Sequence, residues 1–242
     1  MRWLARGVKG KPAGAPPQRP RARLDSRAHL DRNFVVVTGT LGIAAASWVL
    51  TVRQMRGMDM GAATDLGSLA FFMGVWMSMM AAMMLPGAVP ALLRFVRANG
   101  RAVVAPLFAG SYLALWALVG LTVYAAYRPH GSSAAGALTI AAGIYELTPL
   151  KRNCRRRCRE SVRSGFEYGL YCVGSSAGLM VMLIALGVMS VTLMAVVAAV
   201  VLAQKLLPPS ASIDVPVALT IVGLGIVIIV APASVPGFVP TM

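Results

Sequence analysis

Residues 66–90 read LGSLAFFMGVWMSMMAAMMLPGAVP, and the fold class follows from this stretch. The segment Leu66–Leu85 carries no charge, and its 20 residues are enough for a helix to cross a hydrocarbon core of roughly 30 Å. Pro86 predicts the end of this helix, because proline lacks the amide hydrogen that a helix interior needs, and Pro90 should stiffen the exit. The stretch therefore predicts a membrane-spanning helix.

The composition of the whole chain agrees with this prediction. Hydrophobic residues make up 57% of the 242 residues and charged residues 13%, with a mean hydropathy of +0.71. A soluble domain carries roughly 25% charged residues. The net charge of +15 comes from basic residues that lie mainly between apolar segments. This placement favours membrane topology over a nucleic-acid partner, so no nucleic acid is expected to bind.

The apolar segments predict an all-α bundle of about seven transmembrane spans. The 36 uncharged residues 168–203 would make one helix of about 54 Å, so they are predicted to form a hairpin that breaks near residues 187–190. The other predicted spans are residues 34–52, 66–85, 103–127, 133–147 and 215–231. Residues 1–33 are predicted to be a disordered basic cytoplasmic tail, 34–232 the transmembrane domain and 233–242 a short C-terminal tail.

The distribution of basic residues orients this bundle. Twenty Lys and Arg residues fall on the same side as the N-terminus and three on the other side. Cytoplasmic loops are enriched in Lys and Arg, so the N-terminus is predicted to be cytoplasmic. The expected location is a bacterial inner membrane, with the lipid bilayer as a partner.

Methionines are concentrated around the central stretch. Met73, Met77, Met80 and Met84 share one face of the predicted helix, and Met58 and Met60 precede it on the predicted outer side. Thioethers are soft, neutral ligands that suit Cu(I), so one hypothesis is a copper-binding surface. The alternative is that flexible methionines simply fill the contacts between helices.

Three cysteines form a second candidate metal site. Cys154 and Cys158 lie in a basic segment and would share one face of a helical extension, and Cys172 begins the next span from the same side. The flanking cations are expected to lower the thiol pKa values toward the metal-binding thiolate. Alternatively, Cys154 and Cys158 are incidental thiols in a loop whose role is topological.

Glu146 is the remaining candidate. A carboxyl group near the end of a membrane span is costly unless it is paired or functional. Pairing with Lys151 or a neighbouring arginine is the structural alternative, and metal ligation or proton coupling is the functional one. The chain has no phosphate-binding loop, no dinucleotide fingerprint and only two histidines, so an enzyme is not expected.

Three sequence strings together resemble a bacterial family of uncharacterised, predicted metal-binding integral membrane proteins. The strings are WMSMMAAMMLP at 76–86, YELTPLK at 145–151 with Cys154 and Cys158, and GLYCVG at 169–174. The resemblance implies a polytopic membrane protein with a metal-related role. The sequence departs from that pattern at Ser175 and Ser176, where relatives carry cysteines, and at Gln204, where they carry an acidic residue.

The leading hypothesis is a membrane protein that binds a soft metal ion, with copper as the expected metal, and transports or senses it. One alternative is a non-catalytic structural or accessory subunit with a membrane-protein partner. Another is a proton-coupled small-molecule transporter that uses Glu146.

Overall fold

A computed structural model describes residues 19–55, 67–128, 131–160, 163–186, 191–207 and 213–232, and side chains from Asp31 onward. The described residues are almost entirely helical and contain no strand. The helices are α1 (Arg19–Met55), α2 (Leu69–Asn99), α3 (Ala105–Ala126), α4 (Ser132–Glu146), α5 (Pro149–Glu160), α6 (Gly165–Leu186), α7 (Val191–Leu206) and α8 (Asp214–Val230), with a 3-10 turn at Ala102–Val104. The predicted all-α class is confirmed.

Four of these helices are long and apolar enough to cross a membrane. They cover Asp31–Met55, Leu69–Asn99, Ala102–Ala126 and Gly165–Leu186. Helices α4, α7 and α8 have 15, 16 and 17 residues. At 1.5 Å per residue they measure roughly 22–26 Å, which is shorter than a typical hydrocarbon core. The count of seven spans and the orientation of the N-terminus stay predictions.

Helix α2 does not end at Pro86, as the sequence predicted. It continues through Pro86 and Pro90 to Asn99, and Gly100 closes it in the left-handed conformation with φ 68°. Each internal proline costs about 3 kcal/mol in an isolated helix. The second half of α2 buries Leu85 and Leu92 along with several alanines, and each fully buried leucine contributes roughly 1.5–3 kcal/mol. Burial of these side chains therefore offsets most of the cost of the two prolines.

Two other segments also differ from their predicted form. The basic segment around Cys154 and Cys158 is helix α5 instead of a loop. Helix α1 begins at Arg19, inside the predicted tail 1–33. The predicted hairpin is confirmed in outline, because α6 ends at Leu186 and α7 begins at Val191.

Helix α2 is the centre of the bundle and packs against α1, α3 and α7. The indole Nε1 of Trp76 donates to the carbonyl oxygen of Trp116 on α3 over 2.8 Å. Gly120 leaves the space for that indole, since a Cβ there would stand 2.5 Å from a Trp76 ring carbon. Glycine thus sets how closely α2 and α3 approach.

Small residues also join α4 to its two neighbours, α6 and α8. A Cβ on Gly136 would stand 2.9 Å from the carbonyl oxygen of Gly225 on α8. A Cβ on Gly178 of α6 would stand 2.9 Å from the carbonyl oxygen of Ala142. Gly174 and Gly178, spaced four residues apart on α6, therefore permit close contact with the neighbouring helices.

Large apolar side chains remain on the outside of the bundle. Phe34, Leu107, Leu219 and Val230 are 71%, 71%, 64% and 77% exposed. Exposed apolar surface of this kind suits contact with lipid tails.

Candidate metal centre

The methionines of α2 are buried in the bundle. Met79, Met80 and Met84 have no exposed surface and Met83 is 2% exposed, whereas Met73 and Met77 are half-buried and pack against the core. The predicted stripe of Met73, Met77, Met80 and Met84 therefore faces other helices. Met58 and Met60, predicted to capture the ion outside the membrane, lie outside the described residues.

At the C-terminal end of the methionine stripe, Met84 and Cys172 both contact one cation, the Lys205 ammonium. The Lys205 Nζ lies 3.8 Å from the Met84 Sδ and 3.0 Å from the Cys172 Sγ. The Tyr112 hydroxyl also hydrogen-bonds to the Cys172 Sγ, at 3.2 Å. The aliphatic part of Lys205 fills the space beside Gly87, where a Cβ would stand 2.4 Å from the lysine Cδ. Helices α2, α6 and α7 thus deliver a thioether, a thiol and an ammonium group to one point.

Cys158 belongs to the same neighbourhood. Burial, together with nearby Cys172, raises the pKa of its thiol to about 12, although Lys205 acts in the opposite direction. The expectation that flanking cations lower this pKa is wrong, because loss of hydration outweighs their attraction. We call Met84, Cys158 and Cys172 the sulfur cluster.

Cys154 has a different environment from the sulfur cluster. It packs against α6 at Gly174, where a Cβ would stand 2.7 Å from the Cys154 Sγ. Partial burial raises the pKa of this thiol too, and Arg157 only partly opposes the shift. Within the described ranges, no group of three or more His, Cys, Asp or Glu side chains could hold a metal ion.

Glu146 lies in a buried polar network beside the sulfur cluster. Glu146 and Lys151 have no exposed side-chain surface and form an ion pair through the Oε2 and Nζ atoms. Asp214 accepts from the Arg155 Nη1 over 2.7 Å and lies 3.5 Å from the Lys151 Nζ. The Gln204 Nε2 donates to Glu146 over 3.1 Å and to Asp214 over 3.2 Å. Two carboxylates and two cations thus balance, which matches the structural interpretation of Glu146.

Sequence reasoning missed Lys205, Gln204 and Asp214 as members of these sites. Neither Lys205 nor Asp214 belongs to a sequence motif that predicts a site. A usable signal was present, since both are lone ionisable residues beside long apolar segments. Their partners lie far away in sequence, so no spacing pattern could have connected them.

The fold and these contacts define a class: an all-helical protein with membrane-length apolar helices and a buried cluster of soft ligands. The chain belongs to the PpoB2 family, described as copper chaperones, whose match covers residues 73–228 and so more than half of the chain. The matched range contains the sulfur cluster, Lys205 and the Glu146 network. No curated protein and no solved structure matches the chain. The family match thus supports the predicted resemblance to a metal-related family, with copper as the metal named.

Proposed function

We propose that this protein binds Cu(I) as cargo at the sulfur cluster and passes it through the membrane. The observation that carries the proposal is the position of the Lys205 ammonium between the Met84 and Cys172 sulfur atoms. Soft donors from two helices already surround a single positive charge there. Membership of a copper chaperone family supports copper as the metal.

The donor set suits this cargo. Thiolate and thioether sulfur favour Cu(I) over harder divalent ions. Thiols must lose their protons to bind a metal, so each cysteine of the cluster would release one proton on binding. Lys205 would have to withdraw, because its ammonium lies where a second cation would be repelled. In this way the Lys205 ammonium would keep other cations out of the empty sulfur cluster.

In this scheme, the methionine stripe supplies the route. Met58 and Met60 would capture the ion on the outer side, and Met73, Met77, Met80 and Met84 would offer successive weak sites. Conduction needs binding that also permits release, and neutral thioethers provide that. The sulfur cluster would then hold the ion more tightly, because thiolates are the stronger ligands. No catalytic chemistry is assigned to the protein.

The test is copper content after loading the detergent-purified protein with Cu(I) under reducing conditions. Wild type should retain copper, and the double variant Cys158→Ser/Cys172→Ser should lose it. Met182→Leu/Met194→Leu is the control, because both methionines are buried in α6 and α7 but belong to neither the stripe nor the sulfur cluster. Absence of copper from wild type, or equal retention in all three proteins, would refute the proposal.

Replacing the stripe separates a copper route from packing. Leu for Met typically costs less than about 1.5 kcal/mol at a buried site, so the variant with leucine at residues 73, 77, 80 and 84 should fold. Loss of copper transfer in reconstituted vesicles, with the fold intact, would support the route. Unchanged copper transfer would favour packing as the role of these side chains.

Lys205→Met tests the role of the ammonium group. The variant removes the competing charge and offers a further thioether, so Cu(I) affinity should rise by about tenfold or more, the equivalent of one charge-assisted hydrogen bond. Competition with a Cu(I) chelator measures this change. Lowered affinity would mean that Lys205 assists binding instead of opposing it.

The alternative of an accessory membrane subunit rests on the nearly complete burial of Met79, Met80, Met83 and Met84 in helix contacts. Copper-free wild type with intact methionine packing would favour it. A proton-coupled transporter would instead depend on Glu146, and Glu146→Gln would then abolish transport with the methionines unchanged.

A further inference from the structure

A cavity of about 110 Å³ opens beside Lys205, where α2, α5, α6 and α7 meet. A single water molecule needs roughly 10–15 Å³, so the space admits a larger ligand. Four cationic side chains line it, and no acidic side chain does so among the described residues. The four are Arg94, Arg155, Arg159 and Lys205.

Only one of the four cations has an acidic partner in the part of the chain that the structure describes. The Arg155 guanidinium is neutralised by Asp214 at 2.7 Å. The Arg159 Nη1 donates to the backbone carbonyl of Leu207, also at 2.7 Å, which leaves its charge uncompensated. The Lys205 Nζ contacts the Met84 and Cys172 sulfur atoms and lies over two tyrosine rings, and no acidic side chain pairs with it among the described residues. The cavity is therefore strongly positive.

Arg94 lines the cavity and carries an unpaired hydrogen-bond donor among the described residues. Its Nε atom is buried and has no hydrogen-bond partner among the described residues. An unpaired buried guanidinium donor is costly, because it has lost its water without gaining an acceptor. A ligand that accepts hydrogen bonds and carries negative charge would satisfy it.

We propose that this cavity binds a phosphate-class oxyanion. Guanidinium groups present forked pairs of N–H donors that match the oxygen spacing of phosphate, and Arg94 and Arg159 bring two such groups to one space. Apolar walls formed by Gly87, Ala91 and the Tyr168 ring limit solvent screening, so the attraction is stronger than at an open surface. The anion is either free phosphate or the phosphate of a lipid headgroup. The cavity shares Cys158 and Lys205 with the copper site proposed above, but oxyanion binding does not require copper to be bound.

The first experiment uses inorganic phosphate with the purified, metal-free protein at constant ionic strength. Its affinity is read from the rise in melting temperature as phosphate is added. Arg94→Gln/Arg159→Gln should weaken binding by about tenfold or more, because two charge-assisted contacts are lost. Arg97→Gln/Arg152→Gln is the matched control: both residues are exposed on the same two helices, do not line the cavity, and remove the same charge.

The second experiment distinguishes the source of the anion. The protein is incorporated in nanodiscs of phosphatidylcholine with phosphatidylglycerol, purified again, and its retained lipid is measured by mass spectrometry. Stoichiometric phosphatidylglycerol that is lost only in Arg94→Gln/Arg159→Gln assigns the site to a lipid headgroup. The single variant Arg159→Gln keeps the test valid if the double variant misfolds, since Arg159 is exposed. Equal loss in the control variant, or no binding of either ligand by wild type, would overturn the proposal.

Discussion

The buried ion pair between Glu146 and Lys151 allows a quantitative test of the network that surrounds it. Glu146→Gln leaves that network with one surplus positive charge, and Lys151→Met leaves it with one surplus negative charge. Removing one partner of a buried pair costs about 3–5 kcal/mol, because the other charge stays buried without compensation. For a chain of this length we expect the melting temperature to fall by about 6–20 °C in each single variant.

The double variant Glu146→Gln/Lys151→Met restores the charge balance. Arg155 and Asp214 still neutralise each other at 2.7 Å. The double variant should therefore be no less stable than either single variant. The coupling energy between the two sites would then be about 3 kcal/mol, at the upper end of the range for residues in contact.

The assay is thermal unfolding of the detergent-solubilised protein, followed by circular dichroism for all four proteins. Glu160→Gln and Arg156→Met are matched controls, because both residues are exposed on α5. Each control should change stability by less than about 0.5 kcal/mol. Strictly additive effects, or single variants that cost less than about 1 kcal/mol, would refute the charge-balance argument.

Three further predictions concern packing and thiol exposure. Gly178→Ala should cost about 1–3 kcal/mol in thermal unfolding, because its Cβ would stand 2.6 Å from a carboxylate oxygen, whereas Gly39→Ala has nothing within 4 Å and should be neutral or slightly stabilising. Trp76→Phe should cost about 1–3 kcal/mol by the same measurement, since a buried carbonyl on α3 loses its donor; an unchanged melting temperature would contradict this. Maleimide should label half-buried Cys154 before Cys158, and the rate at Cys158 should rise about tenfold per pH unit from pH 7 to 9, because its pKa of about 12 keeps thiolate scarce below that value. A labelling rate at Cys158 that does not change with pH would show that its thiol is already ionised.

Local features of the fold could be predicted from the sequence. Composition and uninterrupted apolar segments indicated the helical class, and the length of residues 168–203 required the break between α6 and α7. These inferences depend only on neighbouring residues and on the thickness of a bilayer. The path of α2 beyond Pro86 was not predictable in this way, because tertiary burial decides whether a helix tolerates proline.

The sequence indicated the sulfur-bearing residues of the candidate site but not the residues that surround them. Met84 and Cys172 stood out by residue type, but the lysine that joins them is 121 residues from one and 33 from the other. Likewise, the thiol pKa values shift upward because burial dominates, and burial is a property of the folded bundle. Spacing reveals which residues share a helix face; it does not reveal what the opposite helix presents.

The two prolines of α2 have a mechanical consequence. Because they lack amide hydrogens, the carbonyl groups of Ala82 and Pro86 receive no helical hydrogen bond, so the helix is softest on either side of Met84. The Tyr168 hydroxyl donates to the carbonyl oxygen of Gly87 over 3.2 Å, and this hydrogen bond joins α6 to α2 one residue after Pro86. Bending of α2 at this joint would carry the Met84 thioether toward or away from Cys172. Helix α2 thus consists of two segments joined at a flexible point. The Tyr168–Gly87 hydrogen bond holds α2 to α6 at this point, within one helical turn of Met84.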